Sequence, residues 1–540
     1  MTSFNLWDQP WIPVQTLGGA STKASLSEAL ARAHELRGVL DPSPLVSVAM
    51  HRLLLALVYR LHPLDGFEEW RALWRAGQFD PVPAGQYGQR MAERFDLVHR
   101  ERPFYQVPAL PEEKDHPVAD LLLEAAHGNN PTLFDHGLVE GSLDLAPDRA
   151  ACYLVALQLF AIGGGVSRPF HRMDAPLTKG VVVEPTGATL FETLMLNAIP
   201  LEHWERLAPP SRADAPFWEV DAPPEPVKEG SAVRGPLHYL TWQSRRVQLL
   251  FDPGRGVVTG CRIAQRYCLP KDGHRLDPGK PYTRDDKLGW VPYRLRKDRA
   301  AWRLTHVLLQ VAQDTRSRPE VVSWLAALRG HERSGEIRLP STVGLTVSGL
   351  STDPQLAAKI DLWRREELSL PLAILEDEDR VAAIERMMAL AARIEAHLRR
   401  TAEALLWALG ERQQQTAAVG YLWAGRANVP PFAALGARSL GVVLRYWAAA
   451  EAPFRAALCA LAQDAPDVVW TGWVAALREN ATKAVLAAVE ALRAGGAAWG
   501  PLSVIEDAFA RRLAWLVAHA DGEGDEDGGK PDGDGPGVEN

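Results

Sequence analysis

The chain has 540 residues, of which 47% are hydrophobic and 23% charged, and its formal net charge is −8 at pH 7. This length predicts two or more domains. No uninterrupted apolar run is long enough to cross a bilayer, and the first residues lack the basic and apolar segments of a secretory signal. We therefore expect a cytoplasmic protein without membrane contact.

The negative charge is concentrated near the end of the chain. Residues 521–539 contain eight acidic residues and one lysine, a net charge of −7 that leaves about −1 for everything before them. Residues 245–303 contain fifteen Lys and Arg against six Asp. A basic segment in a nearly neutral body is typical of proteins that hold a phosphate backbone at one place, although a solvated face is the more common alternative.

The four cysteines are too scattered for a disulfide framework or a paired CxxC zinc site. Cys261 and Cys268 are seven residues apart, and a metal ion between them is the less favoured alternative. We expect no metal and no other cofactor.

The first 370 residues mix short strands and helices. Residues 4–14 are predicted to be extended, because Pro10 and Pro13 exclude a helix, and to place two tryptophans in a core. A capped helix is predicted over residues 25–37 and a buried helix over residues 46–61.

Three consecutive glycines follow a predicted helix over residues 149–160. Gly163, Gly164 and Gly165 are flanked by Arg168 and Arg172. Glycine loses more backbone entropy on folding than any other residue, so such a run favours a turn with positive φ or a close approach to a ligand. The arginines make a polyanion a candidate ligand, and a flexible surface loop is the alternative.

The middle of the chain alternates apolar and polar residues. Strands are predicted over residues 245–252 and 257–266, and the alternation continues over residues 282–296. A further strand over residues 342–351 ends in a turn that leads into an amphipathic segment, residues 356–363, so Gln355 is expected at a strand-to-helix tip. No regular βαβ alternation is visible, which indicates a mixed, largely antiparallel assembly.

From residue 371 the apolar residues recur every three or four positions. Helices are predicted over residues 377–409, 438–462, 474–493 and 503–518. The predicted fold class is therefore α+β, with a large mixed domain over residues 1–370 and a C-terminal four-helix bundle over residues 371–519. Residues 520–540 are expected to form a disordered acidic tail.

No phosphate-binding loop, dinucleotide fingerprint, nucleophile elbow or HExxH motif is present. His127, Asp135 and His136 lie in one polar loop, which keeps open the alternative of a metal-dependent nucleic-acid hydrolase. The same loop has the turn residues Gly128 to Pro131, followed by the apolar Phe134, which favours a binding loop. We expect a protein that is not an enzyme.

The order of these features resembles CasA, the family of large subunits of the type I-E CRISPR Cascade surveillance complex. The features are the extended residues 4–14, the loop over residues 129–134, the glycines at 163–165 and the C-terminal bundle. The resemblance spans residues 4–518. It implies a non-catalytic subunit that recognises the protospacer-adjacent motif on double-stranded DNA, starts strand separation and helps to recruit a helicase-nuclease in antiviral defence. Its partners would be the CRISPR RNA and the other Cascade subunits.

The resemblance also implies residue roles. Gly163, Gly164 and Gly165 match a minor-groove contact, for which a backbone without side chains is suited. Lys287 is the best match to a lysine finger, with Lys280 or Lys271 as alternatives.

Further roles follow from the same resemblance. Gln355, with Thr352 and Asp353 beside it, matches a wedge that takes the place of a displaced base pair. Arg168 is expected to hold a phosphate. The loop that docks near the 5′ end of the guide RNA matches Asn129, Asn130 and Phe134. Some members carry a cysteine-rich zinc element, of which only Cys261 and Cys268 remain nearby, so no metal is carried over.

Overall fold

The computed structural model describes residues 3–124, 143–221, 223–270, 275–310, 316–352, 360–410, 412–425 and 428–520. By their contacts these residues divide into two compact units. The first contains the described residues up to 301 and those from 316 to 368, and the second contains residues 302–310 and the described residues from 369 onward. The short segment 302–310 thus belongs with the C-terminal helices.

The strands of the described chain form four sheets of three strands each. The strands are β1 (Ile12–Thr16), β2 (Ser21–Ala24), β3 (Leu36–Val39), β4 (His116–Pro117), β5 (Val182–Thr186), β6 (Arg245–Asp252), β7 (Val257–Gln265), β8 (Tyr282–Asp285), β9 (Gly289–Pro292), β10 (Arg316–Ser317), β11 (Thr342–Thr352) and β12 (Ile360–Pro371). Their orders are β2-β1-β3, β4-β7-β6, β10-β8-β9 and β12-β11-β5. The pairs β1–β2, β6–β7, β8–β9 and β11–β5 are antiparallel, as the alternation predicts.

Helices alternate with these strands in the first unit and make up most of the second. They are α1 (Leu26–Ala31), α2 (Pro44–Leu61), α3 (Phe67–Ala76), α4 (Pro81–Met91), α5 (Pro147–Phe160), α6 (Leu190–Asn197), α7 (Leu201–Trp204), α8 (Pro236–Leu240), α9 (Thr305–Leu309), α10 (Glu320–Arg333), α11 (Glu378–Trp407), α12 (Arg412–Ala424), α13 (Pro431–Ala437), α14 (Val442–Ala460), α15 (Pro466–Ala494) and α16 (Trp499–Ala518). The predicted α+β class is confirmed.

The N-terminal arm enters the core of the first unit as predicted. Trp7 and Trp11 are both buried, and the Trp11 indole donates to the Leu6 carbonyl at 2.9 Å. The helix that follows begins with a capping box between Ser25 and Glu28 but ends at Ala31. Its predicted extension to residue 37 is wrong, because β3 pairs with β1 and this long-range pairing takes the residues from the helix.

Helix α2 is the central helix of the first unit. By length and composition it is apolar enough to cross a membrane, but 89% of its apolar window is buried inside the protein. It packs on α5 and α8.

The four predicted long helices of the second unit are present as α11, α14, α15 and α16. Side-chain hydrogen bonds join α15 and α14 to α11. The Trp473 indole donates to the Met387 carbonyl at 3.0 Å, and the Tyr446 hydroxyl donates to the Ala391 carbonyl at 3.2 Å. The shorter α12 and α13, which were not predicted, pack on α11, as does α9 from the inserted segment. The bundle therefore contains more elements than its four long helices.

The predicted amphipathic helix over residues 356–363 is wrong, because β12 begins at Ile360 and lies beside β11. Exposed and buried residues alternate over residues 367–370, which is the period of a strand. Residues 353–359, which precede β12, lie outside the described residues.

Candidate nucleic-acid interface

The three glycines lie in a loop between α5 and β5, residues 162–174, which we call the glycine loop. Hydrogen bonds hold its two ends together. The Gly164 N–H donates to the Arg172 carbonyl at 2.8 Å, and the Gly163 N–H donates to Asp174 Oδ1 at 2.7 Å. Just outside the loop, the Ala175 N–H donates to the Ala161 carbonyl at 2.8 Å. These bonds close the base of the loop, which we call its neck, and the residues between them lie beyond the neck.

The tip of the glycine loop requires glycine because of its backbone conformation. Gly164 and Gly165 have φ values of 112° and 76°, which L-residues with a side chain rarely adopt. No atom lies within 4 Å of a Cβ built on Gly165, so crowding is not the reason there. Gly163 differs, because its Cβ would lie 3.1 Å from the Asp174 nitrogen and 3.2 Å from the Arg172 oxygen.

The tip of the glycine loop consists of exposed residues, two of which have backbone N–H groups without a partner in the described chain. Gly164, Gly165 and Val166 are exposed, Val166 to 82%. Among the described residues, the N–H groups of Gly165 and Val166 have no hydrogen-bond partner. Two adjacent amide donors, without a side chain on the first, are therefore available to an acceptor outside the chain.

Arg245, the first residue of β6, supports the glycine loop from inside. Its side chain is 1% exposed and donates to the carbonyls of Ile162 at 3.0 Å and Met173 at 2.7 Å, one at each end of the loop. It also donates to Gln265 Oε1 at 3.0 Å, and that oxygen accepts the Met173 N–H at 2.7 Å. One guanidinium group thus joins both ends of the loop to the β6–β7 sheet.

The Arg245 site suits a planar guanidinium group and not an ammonium group. Burial, with a further contribution from nearby Arg172, lowers the pKa of Arg245 to about 9, and Asp174 opposes this shift. Gln158 of α5 fixes the start of β6, since its Oε1 accepts the Arg245 N–H at 2.8 Å. The planar fork of arginine reaches several carbonyl oxygens at once, which a lysine ammonium cannot do.

Arg168 lies on the exposed side of the glycine loop. Its backbone is held, because its carbonyl accepts from Arg246 at 3.0 Å and its N–H lies 3.4 Å from Glu113 Oε1. Its side chain is exposed. The structure thus places the predicted phosphate contact beside the glycine tip.

Lys287 lies at the tip of the β8–β9 hairpin. Its N–H and that of Leu288 both donate to Asp285 Oδ1 at 2.8 Å, which shapes the turn. The Lys287 side chain and Leu288 are exposed, Leu288 to 50%. Lys287 therefore has the exposure that a finger requires.

Lys280, the alternative finger, lacks the exposure that this role requires. It is 4% exposed, and its ammonium donates to the carbonyls of Pro176 at 2.7 Å and Lys179 at 2.6 Å. Burial lowers its pKa to about 8, and the neighbouring Asp277 partly opposes this. Lys280 therefore supports the chain after the glycine loop and cannot reach a ligand outside it. The other alternative, Lys271, lies outside the described residues.

The β8–β9 hairpin and β11 meet at Gly180 and Val181, which follow the glycine loop in the chain. The Val181 N–H donates to the Tyr293 carbonyl at 2.8 Å, just beyond β9. A Cβ on Gly180, whose φ is 95°, would lie 2.6 Å from the Pro292 Cβ. A Cβ on Gly349 of β11 would in turn lie 3.0 Å from the Gly180 oxygen. The hairpin that carries Lys287 and the strand that ends at Thr352 therefore share one closely packed junction.

Thr352 is the last residue of β11 and is partly exposed. The other wedge residues, Asp353 and Gln355, lie outside the described residues. So does the whole loop with the predicted guide-docking residues and the alternative metal ligands, namely Asn129, Asn130, Phe134, His127, Asp135 and His136. These roles stay predictions.

Much of the local positive charge of residues 245–303 is neutralised by carboxylates from elsewhere in the chain. Arg262 contacts Asp115 at 2.6 Å, Arg246 lies 3.4 Å from Glu112, and Arg255 pairs with Asp144. Within the second unit, the buried Arg303 pairs with Glu395 at 2.6 Å and lies 3.6 Å above the Trp447 ring. Apart from Arg255, the exposed cations among the described residues of this segment lie on the β8–β9 hairpin and just after it: Arg284, Lys287, Arg294, Arg296 and Lys297.

Cys261 and Cys268 are both buried and donate to different parts of the backbone. The Cys261 thiol lies 3.8 Å from the Pro117 oxygen, and the Cys268 thiol 3.5 Å from the Val227 oxygen. Burial raises the pKa of the Cys261 thiol. No group of three or more His, Cys, Asp or Glu residues in the described chain is placed to hold a metal ion.

The residues that position the glycine loop were missed by the sequence analysis. Arg245 was counted only as part of a basic strand, and Gly180 was not considered. One signal was available, because Arg245 is in phase with the inward-facing Val247 of the same strand and both are buried. A charged residue in phase with a buried face indicates an internal partner.

Comparisons with known proteins give one family. The model of the CRISPR-associated protein Cse1 family matches residues 5–491. A CRISPR-associated protein CasA/Cse1 of Thermus thermophilus is 33% identical over 534 residues, which are 96% of this chain and 98% of the relative.

Solved structures agree with this match. The crystal structure of Cse1 from Acidimicrobium ferrooxidans has a TM-score of 0.77 at 25% identity, with 96% of this chain and 98% of that chain covered. A chain of a CRISPR RNA-guided surveillance complex has a TM-score of 0.69 at 22% identity, covering 95% of this chain and all of that chain, and so shares the fold.

Proposed function

Because the chain belongs to the Cse1 family of CRISPR-associated proteins, we propose that it is the large, non-catalytic subunit of a cytoplasmic CRISPR RNA-guided surveillance complex. In this role it recognises the protospacer-adjacent motif of double-stranded DNA through the minor groove and starts strand separation. Its partners are the CRISPR RNA with the other Cascade subunits and a helicase-nuclease that is recruited in antiviral defence.

The glycine loop is the observation that carries this proposal. Every base pair displays acceptors, purine N3 and pyrimidine O2, in the minor groove, which is only about 6 Å wide. Gly165 and Val166 are exposed residues whose N–H groups have no partner in the described chain, and Gly165, with its positive φ, adds no side-chain bulk. Such a tip suits close approach to base edges in a narrow groove.

The surroundings of the loop support the same role. Lys287 lies on a hairpin whose base packs on Gly180 and Val181, which follow the glycine loop in the chain, and further exposed cations lie on this hairpin and just after it. Cations there can contact phosphates or the groove while the glycine tip contacts the bases. Strand β11, which leads to the proposed wedge, contacts the same junction at Gly349, so the hairpin and the strand before the wedge share one support.

The test is duplex binding by the reconstituted complex, scanned over the motif positions, with Gly165→Asp in this subunit. The added carboxylate would lie at the tip that the proposal places in the acceptor-rich, negatively charged groove, so we expect loss of motif discrimination of at least about tenfold. Gly19→Asp is the matched control, because Gly19 is an exposed turn glycine with a φ of 87° and no atom within 4 Å of its Cβ.

Two results would contradict the proposal. The first is unchanged discrimination between motif and non-motif duplexes with Gly165→Asp while Gly19→Asp also behaves as wild type. The second is binding by the complex that does not depend on this subunit at all. Lys287→Ala should weaken binding and reduce its salt dependence by about one phosphate contact, compared with Lys228→Ala at another exposed site.

A further inference from the structure

A second surface feature of the first unit is a pocket of about 190 Å³, which we call the arginine pocket. Its walls come from residues between 94 and 108, from residues 217, 218, 220, 221, 223, 224, 234 and 238, and from Gln243, Arg266 and Tyr267. A single water needs only ~10–15 Å³, so this pocket has room for a ligand. None of its lining residues belongs to the glycine loop or to the β8–β9 hairpin.

Two side chains that line the pocket have no hydrogen-bond or ion-pair partner in the described chain. Arg266 is 8% exposed and Gln243 is 6% exposed. In the part of the chain that the structure describes, neither side chain forms a hydrogen bond or an ion pair, although the Arg266 guanidinium lies 5.2 Å from the Tyr267 ring centre. Gln106 of the same pocket, in contrast, donates to the Leu97 carbonyl at 2.8 Å and accepts the Leu249 N–H at 3.0 Å.

Both side chains line the pocket, where solvent or a ligand can bind their polar groups. Binding a ligand there would not break an internal hydrogen bond of either side chain. Arg266 and Gln243 face one cavity, so a single ligand can satisfy both.

His238 adds a donor to the same wall. Its Nδ1 accepts the Arg234 N–H at 3.2 Å, which places the imidazole proton on Nε2. Burial lowers the pKa of His238 to about 4, so the ring is neutral at pH 7 and its Nε2–H can donate. The Arg234 side chain lines the pocket as well.

The carboxylates of the pocket lie in its exposed part. Asp221 pairs with Arg94 and with Arg102, the latter at 3.1 Å, and Glu101 is exposed to solvent. The buried wall therefore combines guanidinium, imidazole and amide donors without a buried carboxylate. Pro103, Phe217 and Val220 supply apolar surface beside these donors.

We propose that the arginine pocket binds the phosphate of a phosphate monoester. The planar guanidinium fork matches phosphate oxygens, and charge-assisted bonds to them are strong. The apolar residues take the organic part of the ligand. A free mononucleotide and the terminal phosphate of a nucleic-acid strand share this chemistry. The inference does not rest on the function proposed above.

The test is calorimetric titration of the full chain with inorganic phosphate, adenosine monophosphate, and a short oligonucleotide with a 5′-phosphate or a 5′-hydroxyl. We expect saturable binding of the phosphorylated probes. Tighter binding of the mononucleotide identifies a free nucleotide as the source, and discrimination between the two oligonucleotides identifies a strand end.

Arg266→Met is the key variant. It should weaken phosphate binding at least about tenfold, because it removes the guanidinium that binds the phosphate. The thermal midpoint without phosphate should stay close to that of wild type, because the Arg266 side chain forms no internal hydrogen bond or ion pair in the described chain. Arg255→Met is the matched control, since Arg255 lies on an exposed turn with a side chain 60% accessible. Gln243→Leu gives an independent second variant.

Absence of binding by the wild-type chain to all of the phosphorylated probes overturns the proposal. So does binding that both Arg266→Met and Gln243→Leu retain at wild-type affinity. Neither result affects motif discrimination by the glycine loop, so the two proposals fail separately.

Discussion

Replacing Arg245 by methionine tests whether one buried guanidinium holds the glycine loop in place. The substitution keeps an apolar stem of similar length and removes the donors that reach Ile162 and Met173. Both carbonyls accept no other hydrogen bond in the described chain, so both lose their donor. The neck of the loop would then depend on the bonds of Gly163 and Gly164 alone.

The size of the effect follows from these two oxygens. Each buried acceptor left without a donor costs about 1–3 kcal/mol. Removal of a buried cation recovers part of its desolvation, which the lowered pKa of Arg245 reflects. We expect a net loss of about 2–4 kcal/mol of local stability at the loop neck. At 1.4 kcal/mol per factor of ten, this is roughly 30- to 700-fold.

The assay is amide hydrogen exchange resolved by segment, because a chain of two units need not unfold in one step. Segments that contain Gly164 and Ala175 should exchange roughly 30- to 700-fold faster in Arg245→Met than in wild type. Arg262→Met on the same sheet is the control, since its ion pair with Asp115 is partly exposed and should contribute less than about 1 kcal/mol. Exchange within threefold of wild type in Arg245→Met would refute this account of the loop.

Three further predictions concern the stability of the two units. Gly180→Ala should lower the free energy of unfolding of the first unit by about 2–4 kcal/mol, because its Cβ would lie 2.6 Å from that of Pro292 on a backbone with positive φ. Asp277→Asn should cost about 3–5 kcal/mol, because the buried Arg52 guanidinium, which contacts Asp277 at 2.8 and 3.0 Å, loses its counter-ion. Burial lowers the pKa of His397 to about 4. As the pH falls, the imidazole therefore binds its proton in the unfolded chain before it does so in the folded chain. The free energy of unfolding of the second unit should decrease by roughly 3 kcal/mol as the pH falls from about 6.5 to 4.

Urea titrations followed by segment-resolved exchange measure all three. Gly77→Ala is the control for Gly180→Ala, because Gly77 has a φ of 69° but a Cβ there would meet no atom within 4 Å. If both variants lost the same free energy of unfolding, the contact with Pro292 would be excluded as the cause. The double change Arg52→Met with Asp277→Leu should be less harmful than Asp277→Asn; a larger loss would argue against an unpaired cation as the cause. His397→Leu should flatten the acid dependence, and an unchanged slope would assign it to other groups.

The sequence alone predicted the features that depend on local patterns. The long helices of the second unit follow from apolar residues every three or four positions, and β6 and β7 from alternation with period two. The arm with Trp7 and Trp11 follows from prolines that exclude a helix. The need for glycine at the loop tip also follows from residue type, since two of the three glycines have positive φ.

What the sequence could not predict depends on contacts between distant residues. Lys280 and Lys287 are seven positions apart in one basic segment, yet one is buried on two carbonyls and the other is exposed on a hairpin. A count of charges along the chain cannot show that Arg246 and Arg262 meet carboxylates of residues 112–115.

The tertiary structure also decided where the loop is held and which elements share its support. Arg245 joins two ends of a loop about 80 positions earlier in the chain, and β12 forms a strand where the local pattern favoured a helix. Local periodicity determines helices and strands because their repeating contacts are short in sequence. Pairing of strands, burial of charges and the position of the exposed glycine tip are decided by partners far along the chain, so only the folded structure contains them.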